Sequence, residues 1–442
     1  MESVLFSDQM GRDLRWTQFL NTSLGRLHQA IPFDELARLF PPPSHTGRPA
    51  WMDVRGGIGL QVLKSYLGLS DEKLLDRLNT DWVLQYFCGI RLSPGQWIRD
   101  KDLVGRWRRY LSEHIDYAPF QLELAKHWKP LMKDTQAILM DATCYESHLR
   151  YPTDVKLLWE CCEWLWELID QCCKELKLAK PRRKQKKQFQ RYLHYQKRRR
   201  KTHKKEKRQR RYLLRFLAKG LDEWAKLAGR TQIVLAQKTY DRLQTIRLVY
   251  EQQQLHYDDP QAQIKDRIVS LVKTYIRPIV RGKETKRVEF GAKVHSVQID
   301  GITFVEHLSY DAFNEGTRLE SSVTLSQTYF ERCRQLGADR IYQTNANRRF
   351  CAIKGITTNF KPKGPKPKHK RPRDQMREAL NKARASAMEG SFGNEKLHYN
   401  AHRIKAKTQA TETLWIYMAI WTASAQKIAH RITKEKRRRQ AA

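Results

Sequence analysis

Through the first 125 or so positions, apolar residues recur every three or four places between turn-forming residues, which predicts short helices. Ser70 is placed to cap a helix over Asp71 to Leu78, whose Leu74, Leu75 and Leu78 share a face. Trp82, Val83, Tyr86 and Phe87 mark a second helix, and Asp102 to Leu111 a third that carries Arg106, Arg108 and Arg109. Pro41, Pro42 and Pro43 close an earlier one. From Gln136 the spacing changes. Ala137 to Met140 is a short apolar run that ends in Asp141, the mark of a buried central strand with a carboxylate at its end. A long, largely helical stretch follows, over about 155–275.

Strand spacing returns from Val288 to Tyr310. Phe290, Val294, Val297 and Ile299 lead into Asp300-Gly301, a hairpin turn signal, and Ile302, Phe304, Val305 and Leu308 lead back. Leu319, Val323, Phe330 and Cys333 predict an amphipathic helix over Thr317 to Leu336 that stops at Gly337. Ala338 to Tyr342 then begins another strand-like unit, and Ile353 to Thr358 is the last strand. A helix bearing Glu389 and a long C-terminal helix through Trp415 and Trp421 complete the chain. This order predicts a mixed α/β fold: a helical domain over 1–130, then an α/β domain over 131–442 interrupted by a basic helical insertion at 155–286. Open α/β sheets hold ligands outside the ends of their strands, so carboxylates there converge in one crevice.

Charge sharpens this picture. The 442 residues carry 84 Lys and Arg against 47 Asp and Glu, a net of +37, and three runs hold most of the excess. Arg182 to Tyr212 contributes +16, Lys361 to Arg373 contributes +7 among four prolines, and Lys427 to Arg439 contributes +6. Basic runs are often solvated faces, but three together fit a polyphosphate partner, because each phosphate neutralised releases condensed counterions. An anionic membrane surface fits less well, since the first run sets Phe189, Tyr192 and Tyr195 among its bases without a broad apolar face.

The longest apolar stretch, Leu414 to Trp421, is far short of the roughly 20 residues of a membrane helix. The opening MESVLFSDQMGRD has no signal-peptide order, so a cytoplasmic protein is expected. Eight cysteines do not make a disulfide framework in a chain of this length, and a reducing compartment suits them. Cys161, Cys162, Cys172 and Cys173 invite a zinc reading. On one helix, however, the two pairs stand roughly 16 Å apart, whereas thiolates bind one zinc at about 2.3 Å. Buried small side chains are the better reading.

Four segments, MDATCYESHLRYPTD (140–154), RPIVRGKETKRVEFGAKVHSVQIDG (277–301), GADRIYQTNANRRFC (337–351) and AMEGSFGNEKLHYN (387–400), closely resemble DDE-type transposases of bacterial insertion sequences. Upstream, RPAWMDVRGGIGLQVLKSYLGLSDEKLLDRLNTDWVLQYFCGI (48–90) is similar to the helical N-terminal domain of one large group of these enzymes. The resemblance implies an RNase H-like core with a long helical insertion between its first and second strands. It implies Asp141, Asp339 and Glu389 as the catalytic, metal-binding triad, with two Mg²⁺ or Mn²⁺ ions per site. Glu389 and Lys396, seven residues apart on one helical face, match the family's Glu–Lys signature, and Lys396 would contact a phosphate beside the scissile bond. The family places an Arg four residues before that Glu. Here that position is Ala385, and Arg384 stands one step away as a phosphate-contact candidate. Further DNA contacts are Arg340 and, in the basic run, Arg198, Arg199, Arg200 and Lys201.

The implied activity is cleavage of transposon ends by water and joining of the freed 3′ hydroxyl to target DNA. The partners are terminal inverted repeats, target DNA and a second copy of the chain. The alternatives are a related nuclease without strand transfer and a domesticated DNA-binding protein. Asp141 could also cap a strand end, Asp339 could pair with Arg340, and Glu389 with Lys396. His295 reads as a satisfied core histidine and Trp415 and Trp421 as core aromatics. Glu306, Asp311 and Asp300 are alternative carboxylates, Asp300 the weakest because the turn explains it.

Overall fold

The computed structural model describes residues 8–41, 51–231, 233–280, 288–363 and 372–441. Pro42, Pro43, Pro365 and Pro367 lie outside them. The chain divides into two compact units, Met1–His148 with Gly291–Ala442, and Leu149–Phe290. The first unit opens with α1 (Asp8–Asn21), α2 (Ser23–Gln29), α3 (Phe33–Ala37), α4 (Val54–Leu67), α5 (Asp71–Thr80), α6 (Trp82–Phe87), α7 (Leu103–His114) and α8 (Tyr117–Trp128). Thr22, Asp53, Ser70, Asp81 and Asp116 each accept a backbone N–H at a helix start, as expected of Ser70. Arg108 of α7 is buried. It donates to Asp71 at 2.8 Å and to Gln61 at 3.2 Å, and lies 4.8 Å from the Trp415 ring centroid, so it is committed to packing.

β1 (Ala137–Ser147) corrects the expectation of a strand ending at Asp141. It pairs antiparallel with a later strand from Ile138↔Ile299 to Glu146↔Gly291, and this long partner carries it six residues past the acid. The second unit holds α9 (Asp154–Glu175), α10 (Gln185–Lys197), α11 (His203–Arg230), α12 (Gln237–Asp258) and β2 (Pro278–Val280), which pairs with Val288 to Phe290. Its core sets Leu158 and Trp166 of α9 against Leu213 and Leu217 of α11 and Ile246 of α12. Cys161, Cys162, Cys172 and Cys173 are buried in this core, and burial pushes each thiol above its ordinary pKa.

β3 (Val288–Ile299) and β4 (Ile302–Ser309) form the expected hairpin, with Asp300 and Gly301 at φ 47° and 79°. The Asp300 carboxylate accepts Lys133 N–H at 2.8 Å and Arg431 at 2.6 Å, which accounts for it structurally. Then come α13 (Leu319–Tyr329), β5 (Gln335–Gly337), α14 (Asn345–Ile353), β6 (Thr357–Thr358), α15 (Pro372–His398), β7 (Arg403–Ile404) and α16 (Gln409–Ala441).

In the first unit the strands run β4-β3-β1-β5-β6, antiparallel across β4, β3 and β1 and parallel across β1, β5 and β6, with β7 parallel to the far end of β1. This is a mixed α/β architecture. The expected helix over Thr317 to Leu336 is shorter, ending at Tyr329. Gln335 to Gly337 pair with β1 as β5, Gln335 and Leu336 pairing with β6 as well, and the residues after Asp339 form a 3-10 turn, Arg340–Tyr342, rather than a strand. A Cβ on Gly337 would lie 2.8 Å from a Leu139 methyl, so a glycine lets β5 approach β1. Trp421 stacks on Phe120 at 4.5 Å and donates to Gln121 at 3.1 Å, a core aromatic as expected. Among the described residues no helix is long and apolar enough to cross a membrane.

Candidate active site

β1 and β5 pair only from Ala137↔Gln335 to Leu139↔Gly337. Asp141 and Asp339 each stand two residues beyond that last pair, so the strand alternation that sets Leu139 and Gly337 also sets the two acids. Into this fork α15 sends Arg384. Its Nη1 is 2.7 Å from Asp141 Oδ2 and its Nη2 3.7 Å from Asp339 Oδ1. The Asp141 side chain is 18% exposed and that of Asp339 56%, so the pair grades from a half-covered floor to an open rim. Burial pushes the Asp141 carboxyl above its ordinary value. The Ala142 N–H, donating at 2.8 Å, and Arg384 oppose this, while Glu315 and Asp339 add to it.

Farther along α15, Lys396 donates to Thr143 Oγ1 at 2.8 Å and lies 5.3 Å from the Tyr145 ring centroid. Thr143 and Tyr145 share a face of β1 with Asp141. Arg384 and Lys396 thus set two cations along the strand that carries the acid. Glu389 is exposed on α15. The structure gathers Asp141, Asp339 and Arg384, and it does not bring Glu389 to them. Arg340 is exposed on its 3-10 turn. In the second unit Arg198 is half-buried, and Arg199, Arg200 and Lys201 are exposed between α10 and α11.

His295 is fully buried, with Nε2 2.8 Å from the Tyr342 hydroxyl and Nδ1 2.9 Å from Glu306 Oε2. Arg318 donates to Glu306 from the other side. Burial alone would raise the Glu306 carboxyl, but His295 and Arg318 outweigh it and hold the group below its ordinary value. Both therefore belong to a buried core network, in which His295 Nδ1 meets Glu306 at ion-pair distance without a well-aligned hydrogen bond. Burial, and then the charges of Glu315 and Asp141, push the Tyr342 hydroxyl well up.

Two acids went unseen in the sequence. Glu315, on a 3-10 turn, pairs with Lys293 at 2.7 Å and bears on Asp141, yet no residue spacing marks it. Glu395 is buried and accepts the Tyr145 hydroxyl. Its place beside Lys396 hid it, because a charge next to a charge reads as a solvated helix face.

Asp141 and Asp339 are hard oxygen donors converging on one cation. Among the described residues, however, no group of three His, Cys, Asp or Glu is placed to hold a metal ion. The position between the two acids belongs to a guanidinium, so the arrangement as it stands does not fit a divalent-ion pair.

Two family models match the chain, a transposase DDE domain over residues 336–423 and a transposase domain, DUF772, over residues 14–110. Both matches are to transposase models, and together they support a DDE-type transposase of an insertion sequence. No curated protein and no solved structure matches it. The DDE match spans Asp339, Arg384, Glu389 and Lys396, and the other spans most of α1 through α7. The DDE domain implies an enzyme acting on DNA, and DNA binding is in keeping with the polyphosphate partner that the charge suggests.

Proposed function

We propose that this transposase cleaves the ends of its element and joins them to target DNA by phosphodiester hydrolysis followed by transesterification. Asp141, Asp339 and Glu389 are its catalytic acids, on an RNase H-like core within 131–442 that follows a helical domain over 1–130. The observation that carries the reading is the convergence of Asp141 and Asp339 on one guanidinium at the fork of β1 and β5. That fork is a place built to hold positive charge against two carboxylates.

Lys396 beside Thr143 is placed for a phosphate next to the scissile bond, and Arg340 stands on the rim. Two-ion catalysis with Mg²⁺ or Mn²⁺ belongs to the proposal. It requires Glu389 to reach the pair and Arg384 to leave it, and Arg384 is then free to meet a DNA phosphate. Synapsis of two ends calls for a homodimer, and the basic insertion at 155–286, with Arg198, Arg199, Arg200 and Lys201, supplies further DNA contacts.

The test uses the full chain, Mg²⁺ and a labelled duplex taken from the inverted repeats that flank the coding region. Cleavage with strand transfer is the expected result. Cleavage alone makes the protein a nuclease, and a mobility shift without cleavage makes it a DNA-binding protein. Asp141→Asn should lower both steps on the order of 10³-fold or more and leave end binding intact. Unchanged cleavage by that variant sinks the assignment.

A further inference from the structure

The second unit holds a cleft of about 580 Å³ between α10 and α11. Five cations line it, namely Lys187, Arg191 and Arg198 on the α10 side and Lys205 and Arg208 on α11, and no lining residue is acidic. Five like charges around one cleft repel one another, an arrangement that is favourable only with a polyanion between them.

Two of these cations are held in place. The Arg191 guanidinium lies 4.5 Å from the Tyr212 ring centroid and that of Arg208 lies 5.8 Å away, while Arg208 Nε also donates to the Tyr212 hydroxyl at 3.2 Å. A guanidinium resting on an aromatic ring keeps its outer N–H groups free and loses less freedom when it meets a phosphate.

A separate observation points the same way. Gln209 lines the cleft and is 5% exposed, yet its amide nitrogen has no hydrogen-bond partner. A buried donor left unpaired costs free energy until an acceptor arrives. Among five cations, the acceptor that fits is an anionic oxygen.

We propose that this cleft seats the phosphate backbone of duplex DNA, with Arg191, Arg208 and the Gln209 amide donating to phosphate oxygens. A single inorganic phosphate would leave most of the five charges uncompensated. Successive phosphates along a strand neutralise them together. The inference deepens the transposase reading and rests on it for the identity of the polyanion.

The test measures binding of the full chain to a generic duplex as salt is raised. Arg191→Gln with Arg208→Gln should weaken binding about tenfold or more and lower the slope of log K against log salt by about 2, near 0.9 for each phosphate that the protein no longer neutralises. Gln209→Leu should weaken binding severalfold with the slope unchanged and the melting temperature kept, since it removes an uncharged donor that nothing else in the protein satisfies.

The exposed Arg215, on α11 but outside the cleft, should leave the slope untouched when changed to Gln. An equal fall in slope for Arg215→Gln would mean that charge alone matters and would overturn the site, as would an unchanged slope in the double variant. Competition by inorganic phosphate at constant ionic strength, as effective per phosphate as duplex, overturns it too. End cleavage by a protein whose double variant binds normally rejects the cleft and keeps the transposase. Cleft-dependent binding without cleavage in Mg²⁺ does the reverse.

Discussion

Two carboxylates and one guanidinium define the fork of β1 and β5, and their balance gives Asp141→Asn a second, independent readout. The Asp141 carboxyl is raised by burial before any other cause, so its ionised form is the strained one in the fold. A raised carboxyl contributes stability only while protonated, and that contribution is lost as pH rises through its folded value. At neutral pH the wild-type protein has lost it and an uncharged asparagine has not. Melting in chelator at pH 7.5 should therefore place Asp141→Asn level with wild type or about 1–3 °C above it. Arg384→Gln should melt lower, because it leaves the half-covered Asp141 facing the exposed Asp339 with no cation between them. A lower melting temperature for Asp141→Asn would show that Arg384 outweighs burial at this site. The residues marked by family motifs, Asp141 and Asp339, could be read from the sequence, and so could the displaced Arg384. That the arginine bridges the two acids could not, because the contact spans 243 residues and depends on how α15 lies on the sheet.

α15 lies on the sheet through a buried polar seam. Glu395 accepts the Tyr145 hydroxyl, and Ser391 accepts Gln298 at 2.7 Å and Lys427 at 3.0 Å. Burial pushes the Glu395 carboxyl up to about 7, against the pull of Tyr145 and Lys427. The sign follows from the raised value. Stability from the protonated form is full below about 4.5, the group's ordinary value, and is lost as pH rises through about 7. Glu395→Gln should then melt above wild type at pH 8, with the gap closing toward pH 5. Thermal melts across that range check it, and a constant gap would mean that Glu395 is not the titrating group. The elements themselves were mostly legible, since helix caps, the Asp300-Gly301 turn and strand alternation are local signals. β5 was not. Three residues between two parallel neighbours carry too little periodicity, and the apolar Phe330 and Cys333 before them extend the helical spacing past Tyr329.

At the scale of the whole chain, the insertion enters and leaves at one point of the sheet. Glu146 of β1 stands opposite Gly291 of β3, and a Cβ on Gly291 would fall 2.0 Å from the Tyr145 carbonyl oxygen, so a glycine permits the close crossing there. The 142 residues between His148 and Gly291 form a unit with a core of its own around α9, α11 and α12. The same segment holds the run that supplies +16 of the net +37. Composition alone spread that charge over the molecule, and the fold concentrates much of it on a unit that contains none of the three candidate acids. Replacing residues 149–290 by an Asn-Gly turn should therefore leave a protein that still melts cooperatively, since β1 and β3 can meet as a hairpin. Its affinity for a generic duplex should fall by at least about tenfold, and the salt slope by several units. Calorimetry and a salt titration of the excised protein read the two outcomes separately. Cooperative melting with an undiminished slope would move the DNA grip to the basic end of α16, whereas loss of cooperative melting would mean that the sheet depends on the insertion for its closure.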